Sequence, residues 1–161
     1  MPAQNKETSM DLILWRHAEA VDGFPDAERA LTQRGLKQAE KMAGWLNERL
    51  PVDAEILVSP ARRAQQTASA LGRPFKTCKD LDVGESATHL LSAVHWPDGA
   101  KRCVLVVGHQ PTLGEVAALL LGGDEAQWSI KKGAVWWLSS RVRADETQVI
   151  LRASISPELV V

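Results

Sequence analysis

Apolar residues recur along this chain in two rhythms. Short unbroken runs, the mark of strands buried on both faces, alternate with stretches in which apolar residues return every three or four positions. Asp11 to Trp15 is the first run. Thr32 then offers an N-cap for a helix carrying Leu36, Ala39, Ala43, Leu46 and Leu50 on one stripe, closed by Pro51. Glu55 to Val58 is the second strand. Ser59-Pro60 opens the next helix, with Ser as the cap and Pro at the first helical position. Ala61, Ala64, Ala68 and Leu71 line its inner side, and Gly72 ends it. Phe75 to Cys78 reads as a short edge strand and Glu85 to Val94 as a helix. Cys103 to Val107 is continuously apolar and therefore the best central strand. The helix after it carries Leu113, Val116, Ala117 and Leu120 at helical spacing and stops at Gly122-Gly123. Ala134 to Leu138 and Gln148 to Ile155 predict an antiparallel pair at one edge. Alternating strands and helices predict an α/β fold, a three-layer sandwich around a mostly parallel central sheet.

Composition narrows the picture. With 161 residues, 45% of them hydrophobic, the chain holds enough apolar material for one domain and too little length for two. We expect a tail over residues 1–9 and a single domain over 10–161. The first nine residues lack the apolar core of a signal peptide, and no apolar run is long enough to cross a membrane. A net charge of -1 supplies no overall field for nucleic acid or an anionic membrane, so neither is expected as a partner. Cys78 and Cys103 lie far apart and outside any metal-ligand spacing. No disulfide is expected, which fits a reducing, cytoplasmic setting.

The candidate chemistry sits at strand ends. In open α/β sheets ligands gather outside the carboxyl ends of the strands. Here the predicted strands run into Arg16-His17, into Ser59-Pro60 with Arg62-Arg63, and into Gly108-His109. Two arginines in the first turn of a helix oppose its positive end, a conflict that a bound anion removes. A neutral imidazole can attack phosphorus, and a neighbouring guanidinium can hold phosphoryl oxygens bidentately. Either histidine alone reads equally well as a satisfied strand-end residue. Two of them with these arginines form a phosphate clamp. Trp15, beside His17, reads as core in preference to a pocket wall.

These residues resemble the histidine phosphatase superfamily, and within it the small SixA-type phosphohistidine phosphatases. Arg16-His17-Ala18-Glu19-Ala20 resembles the nucleophile motif, and Leu31-Thr32-Gln33-Arg34-Gly35-Leu36 is similar to the helix start that follows it. Ser59-Pro60-Ala61-Arg62-Arg63-Ala64-Gln65-Gln66-Thr67 matches Ser-Pro-x-x-Arg-Ala-x-Gln-Thr, which selects Arg63 over Arg62 as the phosphate ligand. Gly108-His109-Gln110-Pro111 matches Gly-His-x-Pro. The resemblance implies a phosphoglycerate mutase-like fold and a covalent phosphohistidine intermediate on His17. Arg16, Arg63 and His109 would neutralise the phosphoryl oxygens, His109 acting like a third guanidinium if cationic, with no cofactor and no metal. Larger relatives carry a proton-donating carboxylic acid after a middle strand, which makes Asp82 and Glu85 the candidates here.

Only 40 residues separate Thr67 from Gly108, where larger relatives insert a cap over small substrates. So short a segment implies no large cap and an open site, within reach of a phosphoryl group carried on a protein. The expected substrate is thus protein phosphohistidine, on a phosphotransfer or phosphocarrier protein. A small phosphomonoester and a non-catalytic phosphoprotein-binding module are the alternatives, and the complete quartet of Arg16, His17, Arg63 and His109 speaks against the last.

Overall fold

Leu12, Ile13, Leu14 and Trp15 follow one another in β1 (Ser9–Arg16), and all four are fully buried. A strand hides both faces only inside a sheet that is itself covered on both sides. The computed structural model describes residues 9–161 and contains that arrangement. Beside β1 run β4 (Cys103–Gly108), parallel to it, and β5 (Val135–Arg143), antiparallel. Beyond β4 lie β2 (Glu55–Val58) and the edge strand β3 (Lys76–Thr77), both parallel, and beyond β5 lies the antiparallel β6 (Glu146–Ile155). The order is β3-β2-β4-β1-β5-β6. The tail expected over residues 1–9 lies outside the described residues, except for Ser9, which pairs with Arg141 in the sheet.

Alternate side chains of each strand feed opposite layers. Leu12, Leu14, Val104 and Val106 face α3 (Ala87–Ala93) and α4 (Thr112–Gly122), where they join Leu90, Leu113 and Val116. Ile13, Trp15, Leu105 and Val107 face α1 (Gln33–Asn47) and α2 (Arg62–Ser69), against Met42, Leu46 and Ala64. The sandwich therefore has the three layers expected from the sequence. Trp15 belongs to the core, its ring N–H donating to the Gly133 carbonyl at 3.0 Å. Trp136 and Trp137 point into opposite layers. Both cysteines are free, and no helix among the described residues is long and apolar enough to cross a membrane.

Two local expectations need correction. Thr32 caps α1 as predicted, accepting the Gly35 N–H, but the inward stripe is Gly35, Ala39, Met42, Ala43 and Leu46. Leu36 is 43% exposed. A Cβ on Gly35 would stand 2.0 Å from the Glu19 carbonyl oxygen, so the helix start lies directly on the β1–α1 loop. That contact sets the rotation of α1 and turns Leu36, about 100° further round, to solvent. The second correction concerns Ser59. The cap position of α2 is Ala61, and no side chain caps the helix. Ser59 accepts the Ala61 N–H from two residues upstream and uses its hydroxyl elsewhere.

Candidate active site

The adjacent parallel strands β2, β4 and β1 end level with one another, Arg16 opposite Gly108 and Val58 opposite Val107. One more backbone bond on each side extends the pairing, from His17 N–H to the Gly108 carbonyl and from Ser59 N–H to the Val107 carbonyl. His17, Ser59 and His109 thereby meet at one end of the sheet, with the two imidazole centroids 5.1 Å apart.

His17 is held by its Nδ1, 2.8 Å from the Ala18 carbonyl oxygen. A carbonyl only accepts, so the ring proton sits on Nδ1 and the lone pair on Nε2. Arg63 Nε donates to that Nε2 at 3.3 Å. Burial, reinforced by His109, Arg63 and Arg16, pushes the His17 pKa down to about 3, against the favourable bond to Ala18. In the protein alone the ring is a neutral base.

Arg63 is 4% exposed and reaches the site from the first turn of α2. Its terminal nitrogens donate to Asp26, one to the backbone carbonyl at 2.8 Å and one to the carboxylate at 3.1 Å. Arg16 donates one terminal nitrogen to the Ile130 carbonyl at 2.9 Å. Arg62, the neighbouring candidate, is exposed. His109 Nε2 lies 2.7 Å from the Ser59 hydroxyl. That hydroxyl also accepts from Ala61 N–H, and when its own proton is given to Nε2 the His109 proton stands on Nδ1. Burial, with Arg63 next, holds the His109 pKa down at about 4. His109 is thus a neutral imidazole in the protein alone.

Among the described residues, two buried side-chain nitrogens have no hydrogen-bond partner, Arg16 Nε and His109 Nδ1. Buried donors are rarely left unpaired, and both belong to this cluster. Phosphoryl oxygens would supply acceptors to each.

Similarity to known proteins converges on one family. A model of the histidine phosphatase superfamily (branch 1) matches residues 12–85. The phosphohistidine phosphatase SixA homolog of Haemophilus influenzae is 33% identical over 128 residues, spanning 70% of this chain and 78% of that protein. Phosphohistidine phosphatase SixA of Escherichia coli is 30% identical over 130 residues, spanning 71% and 76%. This chain belongs to the histidine phosphatase superfamily. It is a phosphatase of the SixA type. A solved structure, the putative phosphohistidine phosphatase SixA from Nakamurella multipartitia, matches with a TM-score of 0.77 at 26% identity. That match covers 92% of this chain and 96% of the other, and the fold is phosphoglycerate mutase-like.

In this histidine phosphatase the four strand-end residues named from the sequence come together, and the two carboxyl candidates do not join them by any hydrogen bond. Asp82 accepts from its neighbour Val83 N–H, and Glu85 pairs with His89 at 2.7 Å. Asp80 brings a third possible metal ligand within 4.8 Å of that pair, but the pairing of His89 with Glu85 already accounts for the grouping. The residue that sequence reasoning missed is Asp26, whose carboxylate is held ionised by hydrogen bonds first from Arg29 and then from Arg63. The polar residues of the second motif are also accounted for. Gln65 donates to the Ser59 carbonyl, Gln66 accepts from Leu31 N–H, and Thr67 accepts from Ala18 N–H while donating to the Arg63 carbonyl. Thr67 thereby ties the nucleophile segment to α2, while Gln66 and Gln65 tie the helix to Leu31 and to the end of β2.

The two depressed histidine pKa values carry a stability consequence. Both rings take up protons near pH ~6.5 when unfolded but only near 4 and 3 when folded, so the unfolded chain binds more protons between these limits. Stability is therefore complete above about pH 6.5 and declines as pH falls toward the folded values. Urea-denaturation midpoints should drop progressively on acidification below about pH 6.5, and His109→Gln should flatten that slope. A slope unchanged in the variant would mean that His109 is not held neutral.

Proposed function

We propose that this phosphatase takes a phosphoryl group from protein-borne phosphohistidine onto His17 Nε2 and then passes it to water. The observation that carries the reading is the fixed tautomer of His17, with Nδ1–H on the Ala18 carbonyl and the lone pair beside Arg63. The lone pair attacks phosphorus opposite the leaving nitrogen. The N–P bond of the substrate breaks as the new one forms, and the departing histidine leaves as a neutral imidazole, its far nitrogen having been protonated by solvent. Phospho-His17 then keeps its Nδ1 proton on Ala18. When water attacks phosphorus, His17 in turn leaves as a neutral imidazole and inorganic phosphate departs with the water-derived oxygen.

Arg63 must swing from the His17 lone pair onto a phosphoryl oxygen for attack to begin, and the incoming dianion supplies the pull. Arg16 Nε and His109 Nδ1 are the further donors, and the negative charge they meet raises the affinity of His109 for a second proton. The cost of stabilising the transferring group thus falls on preorganised side chains, as phosphoryl transfer requires. Ser59 keeps His109 turned toward this task.

Two features support phosphohistidine as the substrate class. Between α2 and β4 the chain forms only the two-residue β3, a 3₁₀ turn and the seven-residue α3, so this segment adds no large cap over the site. In addition, Asp82 and Glu85 are engaged elsewhere and Asp26 is held ionised, so none is poised as a proton donor. An alkoxide leaving group needs such a donor, whereas a protonated N-phosphoryl imidazole does not. The relatives named as phosphohistidine phosphatases agree with this class.

The deciding experiment compares kcat/KM for a phosphohistidine-bearing phosphotransfer domain or phosphocarrier protein with kcat/KM for sugar phosphates. An advantage of at least about tenfold for the phosphoprotein is expected. An advantage for the sugar phosphates would replace this reading with a small-molecule phosphomonoesterase.

A further inference from the structure

Phe24 is 99% exposed, the most exposed aromatic side chain among the described residues. It lies in the β1–α1 loop, two residues before Asp26, whose carbonyl and carboxylate both hold Arg63. The loop is braced on its other side as well. Arg29 donates to the Val21 carbonyl at 2.7 Å and to the Asp26 carboxylate at 3.1 Å, and Val21 N–H donates to the Ala30 carbonyl. Gly23, at φ +147°, supplies a backbone conformation that other residues rarely adopt. A large apolar side chain is therefore presented to water on a loop already ordered, so little conformational entropy remains to be lost on contact.

We infer that Phe24 is a docking contact for the protein that carries the phosphohistidine. This rests on the substrate class proposed above and adds the surface that recognises it. A histidine side chain holds its phosphorus only about 6 Å from its own Cα, at bond lengths of about 1.5 Å. Phosphoryl oxygens bound by Arg63 lie about 3 Å from its guanidinium. Asp26 touches that guanidinium at 2.8 Å, and Phe24 follows within about 7 Å along the chain. A partner backbone that delivers phosphorus to His17 beside Arg63 comes within reach of the Phe24–Asp26 segment. A free amino acid or a small phosphoramidate has no surface to reach it. Val83, 48% exposed, sits on a further loop at the same end of the sheet.

The partner that fits is a folded protein with an apolar patch next to its phosphorylated histidine. The test compares a histidine phosphotransfer domain, phosphorylated on its histidine, with free phosphohistidine as substrates of the full chain. Phe24→Ser should raise KM for the phosphoprotein about tenfold, or about 1.4 kcal/mol, with kcat and the turnover of free phosphohistidine unchanged. Phe24→Leu should recover most of the loss. Val52→Ser removes an equally exposed side chain, 99%, from the loop entering β2 at the opposite end of the sheet and should change neither substrate. An unchanged KM for the phosphoprotein in Phe24→Ser overturns the inference. So does an equal loss on both substrates, which would assign Phe24 to the upkeep of the site. If the parent protein cleaves sugar phosphates but no protein phosphohistidine, the substrate class itself falls, a result readable without any Phe24 variant.

Discussion

His17→Ala is expected to lower turnover by more than about 10,000-fold while the protein remains folded. The size of the effect follows from the tautomer. Among the described residues the four-residue cluster contains one nitrogen lone pair fixed toward the clamp, His17 Nε2, and none of its neighbours can take its place. His109 Nε2 is tied to Ser59, and the arginines have no lone pair to offer. The fold survives because the ring contributes little to it. Its hydrogen bonds go only to the adjacent Ala18 carbonyl and to Arg63. Arg16, Arg63 and His109 stay in place, so inorganic phosphate should still bind the variant. Rapid quenching of the parent with labelled substrate should trap a phosphoenzyme that is lost in acid and stable in base, and the variant should show none. Substantial activity in His17→Ala would remove the nucleophile from this account.

Arg63→Ala is expected to cost about 100- to 1,000-fold in kcat/KM, whereas Arg62→Ala should stay within about a factor of two. The two side chains leave consecutive positions of α2, about 100° apart around the helix. One is buried against His17 and Asp26, and the other is exposed. Removing Arg63 does more than delete a phosphate ligand. It leaves the Asp26 carboxylate without its buried cation, close enough to His109 to raise the affinity of that ring for protons. The His17 lone pair also loses both a hydrogen-bond donor and a repelling charge. The kcat/KM profile of Arg63→Ala should therefore acquire an acid limb displaced toward the ordinary histidine range, and Asp26→Asn in the same background should move it back. Arg63→Lys should recover only part of the activity, because a point charge cannot match the forked contact of guanidinium with phosphoryl oxygens. Equal losses for Arg62→Ala and Arg63→Ala would mean that the clamp is drawn on the wrong arginine.

Much of this site is legible from local pattern. The apolar run through Trp15 ends abruptly at Arg16-His17, and the run through Val107 ends at Gly108-His109. A strand that stops being apolar at its carboxyl end, in a mostly parallel α/β sheet, points those side chains at the place where ligands bind. The choice of Arg63 over Arg62 came from the resemblance, and the burial of Arg63 supplies its physical reason. Ser59 shows the limit of local reading. Its sequence context, Ser before Pro at a helix start, describes a cap, yet the decisive partner of its hydroxyl is His109, 50 residues away.

Asp26 shows the same limit more sharply. The loop holds Asp22, Asp26 and Glu28, and nothing in their spacing marks one of them. Only the packing of α2 against the loop brings Asp26 to Arg63 across 37 positions of sequence.

Sequence pattern alone is enough for the alternation of elements and for naming Arg16, His17, His109 and the pair Arg62-Arg63 as candidates at the strand ends. These follow from periodicity and residue type, which act over a few neighbouring positions. Tertiary structure alone decided the rotation of α1 that exposes Leu36, the capture of Arg63 by Asp26, the neutral state of His109, and the presentation of Phe24. Each of these depends on burial, or on charges brought together from distant parts of the chain. Such quantities are properties of the folded volume and of no local segment.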